Sequence, residues 1–301
     1  MFYNLKNKLG RAWFDHRARG VLRSLPVTLV KDANAPAVLS QVQHKDVLMY
    51  LGAVQSFACR LALAEVHVVS DGSLTEADRA LLARQIPGIQ FHELADCREP
   101  GLPQGACWER LTAIARLSRT RYVIQLDADT LTLAGIDEVR SAVRNGQSFS
   151  IGTWDGQVIE AAVDRAHAAQ ARISGAKPHI QLLAEAHFDR LNEAPALKYV
   201  RGCAGFSGFA RGEGKLELMR NLSGQLQALL GDRWLEWGSE QVMSNLVVAN
   251  QQGAIVLPHP EYADCIKMRQ GTTRFIHFIG TCRFQGGIYA RLIGGFNWGK
   301  R

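Results

Sequence analysis

A chain of 301 residues is long enough for one large domain or two small ones and can bury a sizeable core. Its 47% apolar and 21% charged residues place it with ordinary soluble globular proteins, and no window of about 18 uninterrupted apolar residues offers a transmembrane helix. The net charge of +7 is lopsided. Residues 1–31 carry Lys6, Lys8, Arg11, Arg17, Arg19, Arg23 and Lys31 against Asp15 alone, seven cations less one acid or +6, so the remainder is near neutral and a general nucleic-acid-binding surface is excluded.

Residues 2–25 read as a basic amphipathic helix, with Phe2, Leu5, Leu9 and Trp13 at helical spacing among the cations. Two fates suit that pattern: packing on the body with a solvated basic face, or peripheral contact with an anionic membrane surface through residues 1–25. Pro26 ends the segment. Strands are expected at 27–30 and 37–42, a helix over 46–63, and a strand at 66–70 that stops at the turn signal Asp71-Gly72. Ser73-Leu74-Thr75-Glu76 fits a capping box opening a helix through 85, which Pro87-Gly88 stops. A short strand at 89–93 follows. This alternation of strand and helix is the pattern of a parallel βαβ sheet.

A helix over 107–119 feeds a strand at 122–126. Beyond it come a helix over 135–144, a strand at 149–153, and an Ala- and His-rich, mostly helical stretch over 155–195. Strands at 197–200 and 205–210, helices over 213–230 and 239–250, and a strand at 254–257 continue the chain. An apolar strand, Arg274-Phe275-Ile276-His277-Phe278-Ile279-Gly280, carries one histidine. The six cysteines, Cys59, Cys97, Cys107, Cys203, Cys265 and Cys282, show neither a Cys-x-x-Cys pair nor zinc spacing. Several sit in apolar runs, where a reduced Cys behaves as a small hydrophobe, so a reducing setting is expected; with no secretory signal apparent the expected location is cytoplasmic, or peripheral at the inner face of a membrane.

The run Tyr122-Val123-Ile124-Gln125-Leu126 is a buried-strand pattern that ends in two carboxylates, Asp127 and Asp129. Side chains at i and i+2 of an extended backbone point the same way, so both acids converge just past the strand's C-terminal end, where open α/β sheets keep their ligand crevice. Converging carboxylates repel unless a cation lies between them, and hard oxygen ligands suit Mg2+ or Mn2+. Taken alone, the same pair could equally terminate a strand and cap a turn.

Other segments weigh against that plainer reading. Glu109-Arg110-Leu111 followed by Leu126-Asp127-Ala128-Asp129 resembles the metal-binding block of nucleotide-sugar-dependent glycosyltransferases of the GT-A fold, and within that class glycosyltransferase family 8. His277-Phe278-Ile279-Gly280-Thr281-Cys282-Arg283 is similar to that family's His-Phe-x-Gly-x-x-Lys motif, with Arg283 in the lysine's place. Glu240-Gln241-Val242-Met243-Ser244-Asn245 resembles its Asp-Gln-x-x-x-Asn helix start. Ala204-Gly205-Phe206-Ser207-Gly208-Phe209 resembles its small-residue strand beside the donor sugar, without the characteristic Asn. No Pro-Trp follows Arg283, and residues 155–195 match no family segment.

The resemblance implies an α/β fold of GT-A type, a Rossmann-like mixed sheet flanked by helices, as one large domain over 31–301 behind a helix at 1–30. Residues 31–135 would form the nucleotide-binding half, and 136–301 the half that completes the metal site and receives the acceptor. It implies a nucleotide-sugar donor, UDP-linked, a carbohydrate or glycoconjugate acceptor, and transfer with retention. Asp127, Asp129 and His277 would hold Mn2+ or Mg2+, while Arg110, Asp127, Gly280 and Arg283 would bind the donor. Glu240 and Gln241 match the position that supports the anomeric carbon. Were the reaction inverting instead, Asp155, Asp232, Glu236 and Glu240 would all be eligible bases. Trp154, Trp234 and Trp237 are eligible sugar platforms. A sugar nucleotidyltransferase would need a glycine-rich loop after the first strand, and Gln43-His44-Lys45-Asp46 has no glycine. A catalytically silent nucleotide- or carbohydrate-binding module is the non-enzyme alternative.

Overall fold

Apolar strands joined by apolar helices bury both faces by lying parallel, with the helices folded back over the sheet. The computed structural model, which describes residues 2–175, 177–280 and 282–298, follows that rule at its start. After α1 (Phe2–Ala18) come β1 (Ala37–Val42), α2 (Val47–Ala58), β2 (Glu65–Ser70), α3 (Glu76–Gln85), β3 (Gln90–Glu93), α4 (Trp108–Leu117) and β4 (Val123–Leu126). The strands β3, β2, β1 and β4 lie side by side in that order, all parallel.

The next elements change direction. They are β5 (Thr130–Thr132), α5 (Asp137–Arg144), β6 (Phe149–Ile151), β7 (Glu160–Ala161), α6 (Ala162–Gln170), α7 (Ile180–Glu185), β8 (Lys198–Tyr199) and β9 (Cys203–Phe209). Then follow α8 (Lys215–Leu230), α9 (Ser239–Ala249), β10 (Ile255–Leu257), β11 (Tyr262–Asp264), β12 (Phe275–His277) and α10 (Ile288–Gly295). β9 inserts antiparallel between β4 and β6, and β10 completes a seven-stranded mixed sheet. A separate three-stranded sheet, β11-β12-β5, stands at the C-terminal end of β4.

Successive side chains of one strand feed opposite layers, as the pleat requires. Val38 and Ile124 pack with Tyr50, Phe57 and Leu82 on one face, while their neighbours Leu39 and Val123 pack with Leu111, Phe209 and Leu246 on the other. The Phe206 and Phe275 rings, stacked with centroids 4.0 Å apart, join the large sheet to the small one. Full burial of a side chain of this size stabilises the fold by about 1.5–3 kcal/mol.

Several expectations are corrected. The N-terminal helix does pack on the body, but through Phe14, whose ring lies 4.4 Å from that of Tyr289, and through Ala18. Leu9 and Trp13, expected on the apolar stripe, are 63% and 42% exposed, and the Phe2, Leu5 and Lys6 side chains lie outside the described residues. The strand expected at 27–30 is a single bridge from Leu29 to Leu63. The capping box sits later than expected: Asp78 N–H donates to Thr75 Oγ1, and Thr75 N–H donates back to Asp78. Cys265 and Cys282 are not reduced; a disulfide joins them across a separation of 17 residues. Disulfides belong to oxidising settings, so the cysteines no longer support a reducing compartment. Among the described residues no helix is long and apolar enough to cross a membrane.

Candidate active site

Register builds the site. β4 ends at Leu126, and the backbone N–H of Asp127 donates to the Gly205 carbonyl of the neighbouring β9 at 2.9 Å. Thr130 Oγ1 closes the turn onto the Asp127 carbonyl, and the chain re-enters extended structure as β5. β12 pairs antiparallel with β5 so that His277 lies opposite Thr130, and Phe278 N–H donates to the Asp129 carbonyl at 2.8 Å. The pairing of β12 with the short β5 thereby carries His277, 148 positions after Asp129 (277 less 129), to the acid pair.

His277 Nε2 lies 3.2 Å from Asp129 Oδ1 and 3.9 Å from Asp127 Oδ2. The outer oxygen of each aspartate is taken by an arginine: Arg110 Nη1 pairs with Asp127 Oδ1, and Arg283 Nη2 with Asp129 Oδ2. Arg110 Nη2 also reaches Glu240 Oε1 at 3.1 Å, and Arg283 Nε donates to the Phe278 carbonyl at 3.1 Å. Asp129 is 5% exposed. Burial raises the Asp127 carboxyl despite Arg110 and His277, whereas at Asp129 His277 and Arg283 outweigh burial and lower it. Burial opposes the His277 charge, but Cys203 and Asp129 prevail and raise its pKa well above the ordinary value. Burial likewise opposes the Arg110 charge, and Asp127 and Glu240 more than compensate. Glu240 is pushed up to about 7 by burial, with Arg110 pulling the other way.

The donor set fits a divalent cation. The ligand atoms of Asp127, Asp129 and His277 lie within 4.8 Å of one another, two hard oxygens and one imidazole nitrogen. The arginines occupy only the oxygens that face away from His277. Two glycines make this proximity feasible. A Cβ at Gly205 would overlap the His277 ring, and Gly238, which opens α9 at φ 106°, could carry no Cβ without meeting His179 Cε1 at 2.9 Å.

A cavity of about 370 Å³ contains the cluster. Its wall brings together all the expected site residues: Arg110, Asp127, Asp129, Glu240, Gln241, His277, Gly280 and Arg283. Thr281, within the same motif, lies outside the described residues. Of the acids eligible as a base, Glu240 lines the cavity; Asp155, Asp232 and Glu236 do not, and Glu236 pairs with Arg233 and Lys177. The tryptophans also separate. Trp234 is fully buried and donates to Ser223 Oγ, Trp154 stands away from the cavity under Arg165, and Trp237 is 74% exposed at the cavity wall. Gln241 Nε2 donates to Gln181 Oε1 at 3.3 Å, which ties α9 to α7.

Further lining residues escaped the sequence reading. Gln41 and Asp71 follow from β1 and β2 reaching the same crevice as β4, and the general rule for strand ends would have found Asp71. His179 comes from the stretch 155–195, and Cys203 from the start of β9. Neither has a local signal, because each reaches the cavity through long-range packing. Ala106 and Cys107, with positive φ of 47° and 72°, turn the chain into α4 beside Arg110.

No protein-family model and no curated protein matches the sequence. Solved structures do match. The galactosyltransferase LgtC, in complex with donor and acceptor sugar analogues, is 12% identical with a TM-score of 0.52, covering 86% of this chain and 95% of that one. Mouse xyloside xylosyltransferase 1 is 13% identical, with a TM-score of 0.46 over 82% of this chain and 98% of that one. The bifunctional glycosyltransferase WbbM is 12% identical, with a TM-score of 0.49 over 85% of this chain and 47% of that one. The likeness to LgtC is one of fold: the chain has the GT-A type architecture, a single mixed α/β domain.

Proposed function

We propose that this chain is a cation-dependent glycosyltransferase that moves a sugar from a nucleoside diphosphate sugar, UDP-linked, to the hydroxyl of a carbohydrate or glycoconjugate acceptor. The observation that carries the reading is the convergence of Asp127 Oδ2, Asp129 Oδ1 and His277 Nε2 on one point, with arginines on the outward oxygens. Asp127, Asp129 and His277 would hold Mn2+ or Mg2+, and the imidazole favours Mn2+ modestly. Such an ion supplies Lewis acidity to the departing diphosphate.

The chain's own residues do the rest. Arg283 offers the diphosphate a planar cationic fork, and Arg110 holds Asp127 in place beneath it. The space that a Cβ at Gly280 would enter is open, which leaves backbone N–H groups accessible to a phosphate. Glu240 is tied to Arg110, and Gln241 to Gln181 and the Ala204 N–H, so both are held at the cavity wall, where one of the pair would support the oxocarbenium-like state at the anomeric carbon. Transfer with retention then breaks the bond from anomeric carbon to phosphate oxygen, leaves the electron pair on the diphosphate, and forms the bond to the acceptor oxygen. The acceptor proton passes to the diphosphate oxygen.

The deciding experiment measures UDP release from UDP-sugars with Mn2+, with Mg2+ and with chelator. Release is expected with either ion, and none in chelator or in Asp129→Ala. Full activity in chelator sinks the proposal. UDP-sugar binding that persists in Asp127→Ala, with no turnover by the unaltered chain, favours a silent binding module instead.

Peripheral contact with an anionic membrane through residues 1–25 is favoured by one observation: Leu9, Trp13, Leu22 and Leu25 are exposed among the exposed cations Lys8, Arg17, Arg19 and Arg23. Vesicles containing anionic lipid are expected to capture the chain at low salt, and Leu9→Ser with Arg19→Glu to release it. Equal capture of that variant removes the idea. No nucleic-acid partner is invoked.

A further inference from the structure

An imidazole presents one nitrogen to a cation while the other carries hydrogen, and the partner of the second nitrogen decides which is which. In His277, Nε2 faces the two aspartates, and Nδ1 lies 2.9 Å from the sulfur of Cys203. The position of Cys203 is itself constrained. It opens β9, where it lies opposite Ile151 of β6, and the buried Asn245 donates through Nδ2 to the carbonyl of the preceding Gly202 at 3.0 Å. Two residues further on, Gly205 leaves room for the His277 ring against the strand. Cys203 is half-buried and lines the cavity.

We propose that Cys203 is the positioning residue of the cation site: its sulfur accepts the Nδ1 hydrogen of His277 and so directs the Nε2 lone pair at the point shared with Asp127 and Asp129. The proposal rests on the cation-dependent reading above. A histidine that binds a metal ordinarily finds a carboxylate, backbone carbonyl or water in this outer place. Here the free thiol takes it. Asn245, expected from the sequence only as part of a helix-start motif, gains a physical role, since it fixes the loop that presents the sulfur.

The test is Mn2+ titration of the full chain, with free Mn2+ followed by electron paramagnetic resonance and the imidazole nitrogen coupling read by its pulsed form. Cys203→Ala is expected to weaken Mn2+ binding about tenfold and to diminish the nitrogen coupling. Cys203→Ser, whose hydroxyl can accept the same hydrogen, is expected to stay within about threefold of the unaltered chain. Should Cys203→Ala fail to fold, Cys203→Val against Cys203→Ser makes the same contrast. Unchanged affinity and coupling in the apolar variant overturn the proposal. A sulfur-to-metal absorption band in the Co2+-loaded chain that is lost in Cys203→Ser also overturns it, by making the thiol a direct ligand. No Mn2+ binding by the unaltered chain removes the cation reading itself, and this inference with it.

Discussion

The two ends of the cavity are held in opposite ways. At the inner end the charged side chains fix one another: Arg110 spans Asp127 and Glu240, Arg283 locks Asp129, and His277 turns toward both aspartates. At the outer end Trp237 is largely exposed and stands edge-on to His179, with ring centroids 6.2 Å apart. Preorganised charge needs no rearrangement when a ligand of fixed geometry arrives. A lightly held aromatic surface accommodates partners of varied shape. On the proposed function, the inner end suits the constant part of the donor, and the outer end the acceptor.

The largest expected effect tests the inner end as a charge-balanced unit. Arg110→Ala leaves the buried Glu240 and the half-buried Asp127 without their shared cation. Removing one partner of a buried ion pair costs about 3–5 kcal/mol. The thermal midpoint, read by calorimetry, is therefore expected to fall by on the order of 10 °C. Trp237→Ala is expected to move stability by about 0.5 kcal/mol or less. Equal midpoints for the two variants would break the comparison at its root.

The same contrast explains how much was legible in the sequence. The parallel strands β1 to β4 announce themselves because each is a local apolar run followed by a turn signal and a helix. Asp127 and Asp129 follow directly from the end of such a run. Arg283 and His277 came instead from a resemblance of motifs, and their meeting with the aspartates depends on β5 and β12, three residues each. The apolar run around β12 is legible by itself, but β5 is too short to show a periodicity, so the pairing of the two is not. Cys203 and His179 lie further from legibility still, since only the antiparallel insertion of β9 and the packing of α7 on α9 bring them to the cavity. The exposed stripe of α1 failed for another reason. Leu9 and Trp13 fit a helical period as well as Phe14 and Ala18 do, and only the docking of α10 selects the buried face.

Arg283→Ala comes next in size. A hydrogen bond to a charged group is worth about 1.5–3 kcal/mol, so UDP affinity in the presence of Mn2+ is expected to fall by roughly tenfold to a hundredfold in calorimetric titration. Arg283→Lys keeps the charge and loses the fork, and is expected to recover part of that loss. Recovery in full would reduce the role of Arg283 to charge alone. No loss in the alanine variant would detach it from the donor altogether.

The pH dependence of His277 sharpens the comparison further, because it gives opposite slopes with and without the cation. The raised pKa of His277 means that the folded, cation-free chain binds its proton more tightly than the unfolded chain does. That contribution to stability is complete below about pH 6.5 and is lost as pH climbs through the raised value. A cation at Nε2 must displace the proton, so Mn2+ affinity is expected to increase with pH over the same window. Melting curves across pH, with and without Mn2+, check both slopes. Parallel curves would mean that His277 keeps its proton and is no ligand.

The smallest effect belongs to the outer end. If Trp237 is the platform for the acceptor sugar, Trp237→Ala removes an aromatic contact worth about 0.5–1.5 kcal/mol. The acceptor KM is expected to increase roughly twofold to tenfold, with Mn2+ affinity and UDP affinity unchanged. Trp237→Phe is expected to restore much of the loss, since a flat apolar face is what a pyranose ring meets. The informative failure would be an equal loss of UDP affinity, because Gly238 follows Trp237 directly, Glu240 lies in the next helical turn, and Glu240 is bound to Arg110. A tryptophan that altered donor binding would be acting through that chain of contacts, and the two ends of the cavity would then be one coupled unit instead of a fixed inner site and an adaptable outer one.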